Sequence, residues 1–190
     1  MIVTIHQPNF MPWYPFFQKM EKADVFVILT QCQFEKNGFQ NRFNHQGQWK
    51  TLSINKGLQP IVEKKYVNSA RDWAKIKNTT NDFLSHLEIF DDCITDSLVE
   101  TNVNIIKTAA KKLGISTEIV LDKPTDLKGT ERLVQICKDY GASEYISGMS
   151  GKKYLDQACF SNNKIKLTFQ EEDDMIKKSL IEKLSEDNNV

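Results

Sequence analysis

Two short runs of β-branched and apolar residues, IVTIH at 2–6 and DVFVIL at 24–29, constrain this chain more than any other feature. Neither alternates apolar with polar residues, the habit of strands covered on both faces. Between them PFFQKMEKA (15–23) has helical spacing, with Phe16, Phe17 and Met20 on one side. Pro15 falls in the first turn, where its missing N–H does no harm. Two buried strands joined through a short helix run parallel, because a crossover returns the chain in the same direction.

A second unit repeats the arrangement. TEIVL (117–121) reads as a strand, GTERLVQICKDYGA (129–142) as a helix and EYIS (144–147) as the next strand. The helix carries Leu133, Ile136, Cys137 and Tyr140 on one face and Gly141 at its end. KIKLTFQ (164–170) alternates and suits a sheet edge. In the middle, 69–90 and 97–114 predict two long amphipathic helices, the second stopped by Gly114 with lysines in its last turn. The stretch 31–62, with NG and GQ turn signals, predicts a hairpin reaching over the carboxyl ends of the strands. The sum is an α/β fold: a mainly parallel, Rossmann-like sheet with helices on both faces and an inserted helical pair.

At 190 residues the chain is long enough for a sizeable core within one domain. Residues 1–170 read as that single domain, with the helical insertion at about 69–114. Residues 171–190 read as a polar tail, a loose helix with a frayed end. Lys plus Arg and Asp plus Glu are 25 each, so no global field draws the chain to nucleic acid or to an anionic membrane. No stretch approaches the ~20 apolar residues of a bilayer span, and the opening MIVTIH lacks the regions of a secretory signal. Both features predict a cytoplasmic protein without membrane insertion. Cys32, Cys93, Cys137 and Cys159 are far apart and form no CxxC pair, so they read as free thiols, Cys137 within the core. No metal is expected, and the sequence does not identify a cofactor.

The connection HQPNFMPWYPFF concentrates the residues suited to chemistry. His6 and Gln7 end the first strand, where open parallel sheets bind ligands near the reversal of strand order. Pro8, Pro12 and Pro15 stiffen the turn, so Asn9, Trp13 and Tyr14 present hydrogen bonds and a stacking surface in fixed positions. The segment QFEKNGFQNR (33–42) follows the second strand and overhangs the same end. Its cations Lys36 and Arg42 and its amides Gln33, Gln40 and Asn41 suit a phosphate or carboxylate together with sugar hydroxyls. Two helix starts add anion-binding candidates: Lys128 and Thr130 before the 129–142 helix, and Ser147, Ser150 and Tyr154 in SGMSGKKY after the EYIS strand. The spacing is not that of a Walker A loop. No catalytic triad is visible, and His6 is the candidate for general acid–base work.

The blocks IHQPNFMPWYPFFQKMEKADVFVIL, QFEKNGFQNR and YISGMSGKKYLDQACF resemble the WbqC-like family. The likeness spreads over positions 2 to 170. It rests on His6, Gln7, Pro8, Pro12, Trp13, Phe17, Asp24, Gln33, Phe34, Gln40, Asn41 and Arg42, then on Arg132, Leu133, Ser147, Gly148 and Tyr154. Pro15 stands where the family pattern leads one to expect glycine, and the region after Gln170 lacks an apolar closing segment. The resemblance implies a role in bacterial O-antigen or other surface-polysaccharide biosynthesis, with a sugar or nucleotide-sugar substrate. The expected reaction is transfer or ligation of an acyl or aminoacyl group onto an amino sugar held on a nucleotide or lipid carrier. His6 would be the acid or base, Asn41 and Arg42 would hold the anionic donor or nucleotide, and Trp13 and Tyr14 would stack on a ring. The residues leave open a non-catalytic module that binds a sugar nucleotide or a partner enzyme. A fainter, fold-level resemblance to the HxGH nucleotidyltransferases implies a HUP-like sheet and a third, nucleotidyltransferase-like reading. Positions 14–17, YPFF, hold none of the histidines which that mechanism uses.

Overall fold

The computed structural model describes residues 1–173 and 175–187. Strands β1 (Ile2–His6), β2 (Val25–Ile28), β5 (Glu118–Leu121), β6 (Glu144–Ser147) and β7 (Lys166–Phe169) form one sheet. Their order is β5-β2-β1-β6-β7, and every pair in it is parallel. Strands β3 (Arg42–His45) and β4 (Gln48–Thr51) form a separate antiparallel hairpin. Gln46 and Gly47 join them, both with positive φ (49° and 78°). That pair of left-handed residues matches the twist of the two strands.

The unbroken apolar runs do what they predict. All four residues of β2 are buried, Phe26 and Ile28 in one core and Val25 and Val27 in another, so the strand is covered on both faces. Helix α1 (Tyr14–Glu21) brings Phe16, Phe17 and Met20 to the first core, joined there by Ile105, Ile106 and Ala109 of α4 (Leu98–Lys112). The second core takes Leu133, Val134 and Cys137 of α5 (Gly129–Asp139) and Phe160 of α6 (Gln157–Asn162). Burial pushes the Cys137 thiol up to about 12. Tyr145 of β6 stacks on Phe160 with ring centroids 5.2 Å apart.

The inserted helices depart from the sequence pattern. The 69–90 stretch is not one helix but α2 (Ser69–Asn78), a 3₁₀ turn at 81–83 and the short α3 (Leu84–Glu88). The break lies at Thr79 and Thr80, whose hydroxyls donate back to the carbonyls of Lys75 (3.0 Å) and Ile76 (2.8 Å). Lys50 of β4 donates to the carbonyl and hydroxyl of Thr79, each at 3.0 Å, and so takes an acceptor that a continuing helix would need. Helix α4 stays whole: the Ser97 hydroxyl caps it by accepting from the Glu100 amide at 3.2 Å, and Gly114 turns left-handed after it.

The tail also differs from expectation. Residues 180–187 form helix α7 (Leu180–Asp187), with Leu180, Ile181 and Leu184 buried in the first core. That stripe supplies the apolar closing segment which the surrounding polar residues disguise. The frayed end expected at 188–190 lies outside the described residues. Ile181→Ala should cost about 2–5 kcal/mol. Urea unfolding should show a lower midpoint at an unchanged slope. A loss below about 0.5 kcal/mol, the range of an ordinary surface position, would show that α7 is not docked.

Candidate functional site at the carboxyl end of the sheet

Strand order reverses at β1, with β2 on one flank and β6 on the other. Pairing of β1 with β2 runs through His6, but pairing with β6 stops at Thr4–Ile146. Past that rung the two strands part, and a cleft of about 1060 Å³ opens above them. Ile5, His6 and Gln7 leave β1 into its floor, facing Ser147 and Gly148 from β6. The 35–40 segment overhangs it, and the 9–13 loop and residues 177–179 wall it. This is the crevice where parallel α/β sheets take ligands.

The proline loop is fixed by its own aromatic anchor. Phe10 is buried among Phe43, Tyr66 and Trp73, with ring centroids 5.7, 6.4 and 6.2 Å away. Its amide donates to the Phe39 carbonyl at 2.8 Å, tying the proline loop to the overhanging segment. Met11, buried and lining the cleft, is left-handed at φ 46°, a conformation unfavourable for a side-chain-bearing residue. Across the cleft, the turn 149–153 packs so closely on the end of β6 that a Cβ at Gly151 would collide with the Ser147 hydroxyl oxygen.

Three polar groups define the floor. His6 packs edge-on to Phe16 (4.9 Å), and its Nδ1 lies 3.0 Å from the Gln7 carbonyl. A carbonyl only accepts, so Nδ1 carries the proton and Nε2 keeps a bare lone pair. Burial, then the nearby charge of Lys19, lowers the His6 pKa to about 3 against the opposing pull of that hydrogen bond. The ring is therefore neutral at physiological pH and accepts at Nε2. Lys19, on α1, is 2% exposed and donates to the Ile5 carbonyl at 3.1 Å. Burial lowers its pKa from 10.5 to about 7. Gln40 donates to Gln7 Oε1, while its own Oε1 is buried with no partner.

Among the residues singled out from sequence, His6, Gln7, Asn9, Trp13, Lys36, Gln40, Ser147, Ser150 and Tyr154 come together as cleft lining. Others are spent on structure. The Asn41 amide donates to the Leu52 carbonyl (2.9 Å), and Gln33 donates to the Gln59 carbonyl (2.9 Å). Arg42 does not point its charge at the cleft. Its guanidinium lies 4.0 Å over the Trp49 ring and donates to the carbonyls of Gly38 (3.2 Å) and Asn37. Tyr14 lies outside the cleft lining, with Lys183 over its ring. At the start of α5, Thr130 accepts from the Asp156 amide (3.1 Å), and Lys128 is exposed away from the cleft. Arg132 pairs with Asp122, which also accepts from the Thr30 amide (2.6 Å) and hydroxyl (2.8 Å), locking α5 to the ends of β2 and β5.

Lys19 is one of the cleft residues that sequence reasoning misses. Its signal is its place three residues after Phe16, on the helical stripe that faces the sheet. Among the described residues no group of three or more His, Cys, Asp or Glu side chains is set to hold a metal, and no helix is long and apolar enough to cross a membrane.

The His6 shift has a consequence for stability. Its folded pKa lies below the unfolded value of 6.5, so between about pH 6.5 and 3 the unfolded chain binds more protons. Stability should therefore fall as pH drops through that window. His6→Asn should flatten the fall in a series of thermal melts from pH 7 to 4. Equal slopes in the two proteins would show that His6 does not titrate in this way.

The WbqC-like protein family model matches residues 7–178, a span that holds the cleft segments from Gln7 to Lys178. An uncharacterized protein of Mycobacterium tuberculosis, Rv1507c, is 28% identical over 186 residues, covering 88% of this chain and 80% of that protein. No solved structure matches. With the family match running through nearly the whole of its length, this chain belongs to the WbqC-like protein family.

Proposed function

We propose that the protein is a group-transfer enzyme of bacterial surface-glycan biosynthesis, acting in the cytoplasm on an amino sugar carried by a nucleotide or lipid. The observation that carries this reading is the cleft at the reversal of strand order, with a neutral imidazole on its floor. Its volume, at the upper end of small-molecule sites, has room for a sugar and its carrier. Gln7, Asn9 and Gln40 offer amides, Ser147 and Ser150 offer hydroxyls, and Gln40 Oε1 lacks a donor that a sugar hydroxyl or amine would supply. Exposed Trp13, Phe39 and Tyr154 at the rim give flat surfaces for a sugar or base ring. Lys36 on the overhanging segment takes the anion-holding role, since Arg42 is turned onto Trp49.

In this scheme His6 Nε2 accepts a hydrogen bond from the acceptor hydroxyl or amine and aims its lone pair at an activated acyl or aminoacyl donor. A non-catalytic sugar-nucleotide module is the second reading, favoured by the same amides and rings, which bind without any chemistry.

A thermal-shift screen against nucleotides, nucleotide sugars and acyl donors tests both. At a hundredfold excess over Kd a ligand adds about 2.7 kcal/mol to the folded state, a shift of several degrees. The expected result is a shift with a nucleotide sugar, lost in Gln7→Ala and Trp13→Ala and kept in Arg42→Ala. With that sugar as acceptor, His6→Ala should lower turnover about tenfold or more while the protein stays folded, the scale of one well-placed hydrogen bond. Unchanged turnover would remove His6 from the reaction. No shift with any compound at millimolar concentration would defeat the sugar-binding reading itself.

A further inference from the structure

A lysine buried to 2% exposure requires an explanation, because an unpaired ammonium away from water is costly. Lys19 has one hydrogen bond, to the Ile5 carbonyl, and burial is the sole influence on its titration, with no carboxylate partner contributing. Capping one carbonyl does not need a charge or a four-carbon stem. The site of that carbonyl is informative. The His6 carbonyl accepts from the Leu29 amide on the β2 side (2.8 Å), and successive strand carbonyls point to opposite sides. The Ile5 carbonyl thus faces β6, one residue beyond the last paired rung between β1 and β6. Lys19 Nζ stands in the gap where the strands separate, and Lys19 lines the same cleft as His6.

We propose that Lys19 Nζ is the catalytic base of this cleft, taking the proton from the acceptor hydroxyl or amine as that group attacks an activated acyl donor. This deepens the group-transfer reading above and rests on it. The acceptor O–H or N–H bond breaks, and its electron pair forms the new bond to the acyl carbon. The donor's leaving group departs with the pair of the bond that held it. Lys19 holds the released proton as an ammonium and returns it to the leaving group or to water. His6 cannot fill this role, since its ring is a far weaker base; it orients the acceptor, and Lys19 takes the proton. A base with a pKa near 7 is matched to neutral pH, where both of its protonation states are populated.

The charged groups that face Lys19 set how its titration responds to ligands. His6 on β1 is neutral, and Tyr145 on β6 is held protonated by burial. Glu35 and Lys36 line the cleft from the overhanging segment, and Lys178 and Glu182 line it from the C-terminal side, with Lys178 paired to Glu186. None of the described carboxylates forms an ion pair with Lys19.

The first test needs no substrate. In protein labelled with ¹³C-lysine, side-chain resonances are followed by NMR from pH 5 to 11, and the Lys19 signal is assigned by its loss in Lys19→Met. Should that variant fail to fold, Lys19→Arg makes the assignment. Lys19 should half-titrate near pH 7, well below the ~10 of an ordinary lysine side chain. Titration of Lys19 together with the exposed lysines overturns the proposal.

The second test uses the nucleotide sugar found by thermal shift. Lys19→Arg keeps a donor for the Ile5 carbonyl but cannot release its proton. It should retain the ligand-induced shift and lose about a hundredfold or more in turnover. Turnover within about threefold of the unmodified protein overturns the proposal. The two readings fail separately. A neutral-pH titration in a chain that binds no nucleotide sugar defeats the glycan reading and leaves the basic amine in place. Sugar binding with an ordinary Lys19 titration defeats the base alone.

Discussion

The cleft depends on one buried amide. Asn102 of α4 has no exposed surface, and its Nδ2 donates to the carbonyls of Pro8 (2.6 Å) and Gln40 (2.7 Å). Tyr66 donates its hydroxyl to Asn102 Oδ1 (3.0 Å) and lies 3.2 Å from the Gln40 carbonyl. A single side chain therefore joins the proline loop, the overhanging segment and the inserted helices. Its two donated bonds satisfy backbone carbonyls on the loops' irregular path, that of Gln40 shared with the Tyr66 hydroxyl. A network of this kind is strong only when every member is present, so losing Asn102 would release both walls of the cleft together. The inserted helices thus serve the site without entering it: they hold the loops over the end of a sheet that would otherwise open to water.

Unfavourable local features gather on the cleft side of this clamp. Met11 is left-handed, Gln40 Oε1 has no donor, His6 Nε2 is bare, and Lys19 has one hydrogen bond. His45 Nδ1 and Arg132 Nε are also buried without a partner and lie outside the cleft, but other buried charged groups are better paired. Lys64 is as deeply buried as Lys19, and each lies over a phenylalanine ring (Phe34 and Phe26), yet Lys64 donates to two carbonyls, those of Asn55 (3.0 Å) and Gly57 (2.8 Å), where Lys19 has one. Asp122 has Thr30 and Arg132. One lysine is a staple and the other is held in reserve. Local rules broken together at a single concave site mark function more surely than any one of them alone.

The sheet and the place of the cleft were legible because both rest on local pattern. Non-alternating Val, Ile and Phe marked the doubly covered strands, and a chain that turns from His6 into three prolines marked where they end. What escaped depends on partners distant in sequence. Arg42 resembles an anion ligand until Trp49, across the hairpin, takes its guanidinium. The helix at 69–90 is periodic throughout and breaks because Lys50, from a strand, claims the Thr79 carbonyl. Helix α7 hides three core residues among lysines and glutamates, and a short apolar stripe has little periodic signal. Lys19 was overlooked for the opposite reason: a lysine on a helix is assumed to face water, and only its register with Phe16 says otherwise.

In the proposed scheme the electrostatics of the cleft would also order the ligand within it. A sugar ring seated against Lys19 would displace the remaining water and push the amine further toward its neutral, basic form. A phosphate in the same place would do the reverse, holding the proton on nitrogen and silencing the base. The two ends of a charged carrier and its sugar are therefore not interchangeable here. In the proposed scheme the anionic end would lie by Lys36 under the overhanging segment, and the sugar on the floor between β1 and β6. There Gln40 Oε1 and His6 Nε2 are both acceptors awaiting a donor, and an amino sugar brings N–H and O–H groups together. The acceptors on that floor favour O–H and N–H donors, and in the proposed scheme the polyhydroxylated, amine-bearing part of the substrate would supply them.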